Sequence, residues 1–205
     1  MNKKEAKIIT GGLSKPSKMP GHAYNLPAWR CVTGVKLQAV KGSVCAGCYA
    51  MKGRYRFKNV KDALQRRMDS LDHPQWVQAM VVLIDKQPWF RWHDSGDLQS
   101  LDHLNKIFEV CRLTPETRHW MPTREAWIKD HLDRAPANLV IRFSPPMVDM
   151  KAPDSWPNSS SVISKDQKWF GATSVLCPAP KQGGKCGDCR QCWNPEIKNV
   201  SYWKH

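Results

Sequence analysis

WFRWHDSGDL, residues 89–98, decides the architecture. Pro88 precedes it, its first six residues are mostly aromatic, and Ser95-Gly96 closes the run. A short apolar stretch bounded in this way reads as a β-strand entering a turn. On its N-terminal side, PQWVQAMVVLID (74–85) sets Trp76, Val77, Met80, Val81 and Ile84 on one apolar side, and Pro74 suits a helix start. On its C-terminal side, Leu101, Leu104, Ile107, Phe108 and Cys111 predict a helix over 98–112.

The same alternation continues outward. TRHWMPT (117–123) and NLVIRFS (138–144) read as strands, Thr123 is placed to cap the short helix REAWIKDHL, and Pro145-Pro146 ends the second strand. Upstream, NVKDALQRRMDSL carries Val60, Ala63, Leu64, Met68 and Leu71 at helical spacing. HAYNLPAW (22–29) reads as a short strand leading to Cys31, and 32–44 as an irregular loop or hairpin. SSVIS (160–164) and VSYW (200–203) are two further candidate strands.

Strands and helices in turn, at intervals of about 20–30 residues, specify parallel βα units. The 205 residues fall short of a complete eight-unit barrel, which needs about 250. The expected fold is therefore α/β, a partial, open βα barrel over 21–170. A basic, flexible arm at 1–20 and a Cys-rich metal-binding extension at 171–205 flank it.

The formal net charge is +14, and the charge is concentrated. Between Lys36 and Arg67 stand nine Lys or Arg and a single acid, Asp62. Such a field attracts polyanions and makes nucleic acid the candidate partner, although a solvated basic face has the same composition. MNKKEAKIIT lacks the apolar run of a secretory signal. No stretch approaches the ~18 apolar residues of a membrane span. The expectation is a cytoplasmic protein with no membrane partner, in the host cell if the chain is viral.

Eight cysteines in such a setting point to metal rather than disulfides. CPAPKQGGKCGDCRQC supplies Cys177, Cys186, Cys189 and Cys192. A C-x2-C-x2-C run grips one face of an iron–sulfur cubane, whereas four-thiolate zinc sites more often use two separated C-x2-C knuckles. Iron–sulfur leads, and zinc remains the alternative for this group. Cys31, Cys45 and Cys48 form a second group, C-x13-C-x2-C. Three thiolates leave one iron of a four-iron cluster open to a small-molecule ligand. Alternatively, Cys45 and Cys48 join another residue, such as His22, around zinc. Cys111, on an apolar helix side, reads as core.

His93, Asp94 and Asp97 fall at the C-terminal end of a predicted strand, the rim that carries chemistry in βα barrels. They are the candidate catalytic residues, with helix capping by an acid as the plainer role. Arg142 and Ser144 near the end of the next strand can bind a carboxylate or phosphate, as can Thr123 and Arg124. His119 reads as a satisfied barrel residue. There is no phosphate-binding glycine loop, no HExxH and no Ser-His-Asp arrangement.

CAGCYAMKGRY, WHDSGDL, HWMPTREAW and IRFSPP with the cysteine-rich tail resemble the bacteriophage gene product 88 family, from about His22 to the C-terminus. That family looks like a minimal relative of the radical S-adenosylmethionine enzymes. The resemblance implies a barrel of that type and a four-iron cluster on Cys31, Cys45 and Cys48. It also implies S-adenosylmethionine on the open iron, with Tyr49 beside the last ligand and Ser95, Gly96 and Asp97 placed to contact an amino group; Arg142 and Ser144 join Tyr49, Ser95 and Gly96 as the candidate cofactor-binding residues. A second cluster on the C-terminal group would relay electrons or hold the tail. The usual C-x3-C-x2-C spacing of those enzymes is widened here, and no Gly-Gly-Glu stretch follows the second strand. The implied function is modification of a nucleic acid or nucleotide. The alternative is a non-enzymatic, metal-stapled basic module that binds nucleic acid or a host protein.

Overall fold

The strand that begins at Trp89 lies second in a seven-stranded sheet, and both of its neighbours run parallel to it. The computed structural model describes residues 1–167 and 174–204. Its strands are β1 (His22–Tyr24), β2 (Trp89–Trp92), β3 (Arg118–Thr123), β4 (Leu139–Phe143), β5 (Ser159–Ile163), β6 (Ser174–Leu176) and β7 (Asn199–Trp203). The order across the sheet is β1-β2-β3-β4-β5-β7-β6, with every pairing parallel. The α/β class is as expected. The helices are α1 (Lys3–Thr10), α2 (Val32–Gln38), α3 (Lys58–Asp69), α4 (Trp76–Ile84) and α5 (Leu101–Leu113). The boundary expected between 170 and 171 lies outside the described residues.

Strand alternation divides β2–β4 between two layers. Phe90, Trp92, Met121, Leu139, Ile141 and Phe143 face the helices, in one core with Trp76, Met80, Ile84, Leu104, Ile107 and Phe108. Trp92 stacks on His119, as a core role for that histidine requires. Trp89, Arg91, Trp120 and Arg142 face the other way. That face is covered by the C-terminal segment. Trp193 packs edge-on against Trp89 at 5.6 Å and Trp120 at 5.2 Å. Its Nε1 donates to the Phe90 carbonyl at 2.9 Å.

Arg142 fastens the segment. It is fully buried. Its Nε donates to the Cys192 carbonyl at 2.9 Å, and Nη2 to those of Gln191 at 3.0 Å and Asn194 at 2.8 Å. Nη1 donates to the carbonyls of Ile197 at 2.9 Å and Ser159 at 3.1 Å. All five donors of a guanidinium are thus engaged by main chain, and none remains for the anionic ligand expected from the sequence. The Cys-rich segment likewise contributes β7 and β6 to the sheet itself.

Two other expectations change. The first 20 residues contain α1, started by an Asn2–Glu5 capping box. Ala6 is packed with Ala79 and Leu83 of α4, and the Tyr24 hydroxyl bonds the Thr10 carbonyl at 2.8 Å. The stretch after Cys31 is helical rather than irregular. Val32, Thr33, Gly34 and Val35 have low helix propensity, and the helix is held from outside. Glu125 accepts from the Thr33 amide at 3.0 Å and the Thr33 hydroxyl at 2.9 Å.

Replacing Arg142 tests its role as the fastener. Arg142→Met is expected to lower stability by about 3–5 kcal/mol, because buried carbonyls lose a charged donor. Arg142→Lys, with three donors and no planar fork, is expected to recover less than half of this. Urea midpoints equal to that of the parent protein would refute the assignment.

Candidate functional site

The C-terminal ends of β1–β4 form a rim, and the first cysteine group lies along it. Cys31 follows β1 through the turn Ala28–Arg30 and sits at the N-cap of α2. Cys45 opens a short turn that ends at Cys48. Gly34, buried in α2, makes room for the sulfurs. A Cβ there would lie 2.9 Å from the Cys31 Cβ, 3.5 Å from the Cys31 Sγ and 3.6 Å from the Cys45 Sγ. Burial pushes the Cys31 thiol well up, and Asp97, Cys48 and Cys45 push in the same direction. Burial also raises Cys45, and the Arg124 guanidinium opposes the shift at both thiols. Arg124 Nε is buried and has no hydrogen-bond partner among the described residues.

The second group lies by the sheet face that the C-terminal segment covers. The Cys177 amide donates to Ser201 O at 2.9 Å, and the Cys186 amide to Lys18 O at 2.7 Å. The Cys189 amide donates to Cys186 O at 3.0 Å. Cys192 Sγ lies 3.0 Å from the Tyr202 hydroxyl. Burial raises the Cys177 and Cys186 thiols, and Cys189 raises both further. Burial pushes Cys192 up to about 11, against the Tyr202 hydrogen bond and the charges of Arg142 and Arg91. Cys111 is fully buried in the helical layer, as a core residue.

Arg91 joins the two regions. It lies 4.4 Å over the Trp120 ring and pairs with Asp94 at 2.9 Å. Burial would lower its pKa, but Asp94, Tyr49, Tyr202 and Cys192 together drive it up, so the guanidinium stays charged. Its field acts on Cys186 and Cys192. Its Nε, like that of Arg124, is buried without a hydrogen-bond partner among the described residues. The charge of one half-buried arginine thus acts on each cysteine group, and its buried Nε–H is unused among the described residues.

The predicted polar residues separate into distinct roles. Asp97 Oδ1 accepts from the Thr123 hydroxyl at 2.7 Å and the Leu98 amide at 2.8 Å, and Oδ2 from the Arg124 amide at 2.8 Å. Burial still holds this carboxyl up at about 6. Asp94 is engaged by Arg91 and by the Tyr55 hydroxyl at 2.9 Å, while the Tyr49 hydroxyl donates to its carbonyl. Burial raises the Tyr49 phenol to about 12. Ser95 and Gly96 close onto Leu26. The Ser95 hydroxyl donates to Leu26 O at 3.0 Å, and a Cβ on Gly96, at φ 78°, would come 2.6 Å from the Leu26 Cβ. Ser144 bonds Ser160 at 3.1 Å. These contacts brace the rim.

His93 does not join the cysteines. At φ 57°, it packs edge-on against His103 of α5 at 5.5 Å. Arg91 and Glu125 are the site residues that sequence reasoning missed. The signal for Arg91 was a charge alternating with tryptophan in WFRW. Among the described residues, no group of three or more His, Cys, Asp or Glu is gathered to hold a metal ion.

Fold and site together define an open parallel α/β protein with thiols grouped at its C-terminal strand rim and over one sheet face. The sequence profile of the Gene product 88 family matches residues 1–195, and the chain belongs to that family. No curated protein and no solved structure is significantly similar to it. No helix among the described residues is long and apolar enough to cross a membrane.

Acid should expose the buried imidazoles. Burial lowers His93 far below its usual value, and His103 and His119 to about 3. The unfolded chain takes up these protons near pH 6.5, so the stability they contribute is complete above that and declines toward pH 3. The decline is about 1.4 kcal/mol per pH unit for each histidine. Asp97, raised to about 6, offsets one of the three between pH 6 and about 3.9. The urea midpoint is expected to fall from pH 7 to pH 5, less steeply in His119→Phe. An unchanged midpoint would rule out neutral burial.

Proposed function

We propose that this protein carries thiolate-bound iron–sulfur clusters, with Cys31, Cys45 and Cys48 as ligands at the rim. Cys177, Cys186, Cys189 and Cys192 would hold a second cluster. When bound, such clusters supply one-electron chemistry, and an iron without a protein ligand gives S-adenosylmethionine its place. The observation that carries the reading is that the charge of a half-buried arginine acts on each thiol group, and that the Nε of each of these arginines is buried and unused among the described residues. A fixed positive charge and a free N–H suit a sulfide-bearing anionic group, because hydrogen bonds and charge around the sulfurs tune such clusters. The space at Gly34 and the all-thiol donor sets fit the same group. A cubane spreads its thiolate ligands more widely than a single ion does, in keeping with the lack of a tight ion site.

The chain's own residues have definite tasks in this reading. Arg124 and Arg91 offset cluster charge. Asp97 holds Arg124 and Thr123 against the Cys31 loop, and Glu125 fixes the start of α2. Trp193 and the C-terminal segment exclude water from the sheet face. We read β1–β5, which are adjacent in chain order, as part of a radical S-adenosylmethionine-type barrel left open. The net charge of +14 makes a nucleic acid or nucleotide the substrate class.

Anaerobic purification tests the proposal. Two four-iron clusters predict about eight irons and eight sulfides per chain, falling by about half in Cys45→Ala and in Cys189→Ala. Gly34→Ala is expected to lose iron from the first group alone, and S-adenosylmethionine binding by calorimetry should vanish with it. A colourless protein with one or two zinc ions, or one free of metal, would overturn the reading and leave the non-enzymatic module.

A further inference from the structure

Beside the rim, residues 51–58 form a lobe in which every residue except Tyr55 is exposed. It is tied to the site by two phenols. Tyr55 donates to Asp94 at 2.9 Å, Tyr49 donates to the Asp94 carbonyl, and the two rings meet edge-on at 5.9 Å. The lobe and the start of α3 carry Lys52, Arg54, Arg56, Lys58 and Lys61, all exposed. Asp62 engages Lys58 at 2.7 Å. Among the described residues, no ion pair involves Lys52, Arg54, Arg56 or Lys61. Phe57 stands among these cations and is 59% exposed. Among the described residues, it is the most exposed aromatic ring of the large exposed hydrophobic residues.

We propose that this lobe binds single-stranded nucleic acid, with an unpaired base on Phe57 and flanking phosphates on Lys52, Arg54, Arg56 and Lys61. Cations that track a backbone around an exposed ring are how strands are held without sequence readout. A duplex offers its phosphates equally but keeps its bases stacked, so the ring selects the single strand. An anionic lipid surface would satisfy the cations too. It calls for a broad apolar face to insert, and here the lobe offers little beyond Phe57 and Met51. The lobe's tie to Asp94 brings a bound strand to the cysteine rim. This inference deepens the functional reading above and depends on it only for the chemistry after docking.

Fluorescence anisotropy with labelled oligo(dT) and oligo(U) of about 12 nucleotides, within the usual site size, tests the proposal on the full chain. Phe57→Ala should weaken binding of the strand by about 5- to 150-fold, the range of one lost stacking contact. Arg54→Gln with Arg56→Gln should lower the slope of log K against log salt by about 1.4, two phosphate contacts of a single strand. Lys3→Gln with Lys7→Gln, on α1, should change neither. The proposal is overturned by an unaffected Phe57→Ala, by equal affinity for a duplex, or by binding only to phosphatidylserine vesicles. Equal losses in the α1 control overturn it as well. Iron is counted on the same samples. Iron-free protein that still binds the strand sinks the cluster reading alone, and iron-loaded protein that does not bind it sinks this one alone.

Discussion

A buried guanidinium holds this molecule together. Arg142 projects from β4 into the face opposite the helices and draws five carbonyls onto itself. Four of them belong to 191–197, the stretch that carries Cys192 and Trp193. A planar fork of five donors is the side chain that can satisfy so many acceptors at fixed angles. The sheet face that an open barrel would leave wet is instead closed by the chain's own C-terminal part. The position of the second cysteine group follows from this attachment.

The two cysteine groups share an electrostatic arrangement that neither could provide alone. Burying thiols penalises the thiolate form, as the upward shifts of Cys31, Cys45, Cys177, Cys186 and Cys192 record. The compensation comes from outside each group. Arg124 leaves the end of β3 with its amide held by Asp97, and Arg91 is steadied by Asp94 and the Trp120 ring. Asp94 and Asp97, which by position alone look like an acid–base pair, set the places of the two cations.

Much of the frame was legible in the chain. The aromatic run at 89–94, the flanking helices and the NLVIRFS strand all carry a strong period bounded by Gly or Pro, and each forms where the pattern places it. The misses have different causes. Residues 32–38 make a helix because Glu125, far away in sequence, engages its first turn. The N-terminal arm becomes α1 because Ala79 and Leu83 of α4 receive Ala6. Local propensity is weak only at 32–35, where the distant contact decides; α1 carries helix-forming Lys, Glu and Ala and a capping box, a local signal that the reading of 1–20 as an arm passes over.

The sequence by itself determined the α/β class, the two cysteine groups and the basic stretch, since these depend on residue identity and near-neighbour spacing. Tertiary structure alone decided which polar side chains face the thiols. Arg142 is spent on main-chain carbonyls, Asp94 and Asp97 are bonded to their neighbours on the rim, His93 turns toward α5, and Arg91 emerges as the link between the regions. Such roles depend on which strands become neighbours and which donors are already engaged there, and spacing along one chain encodes neither.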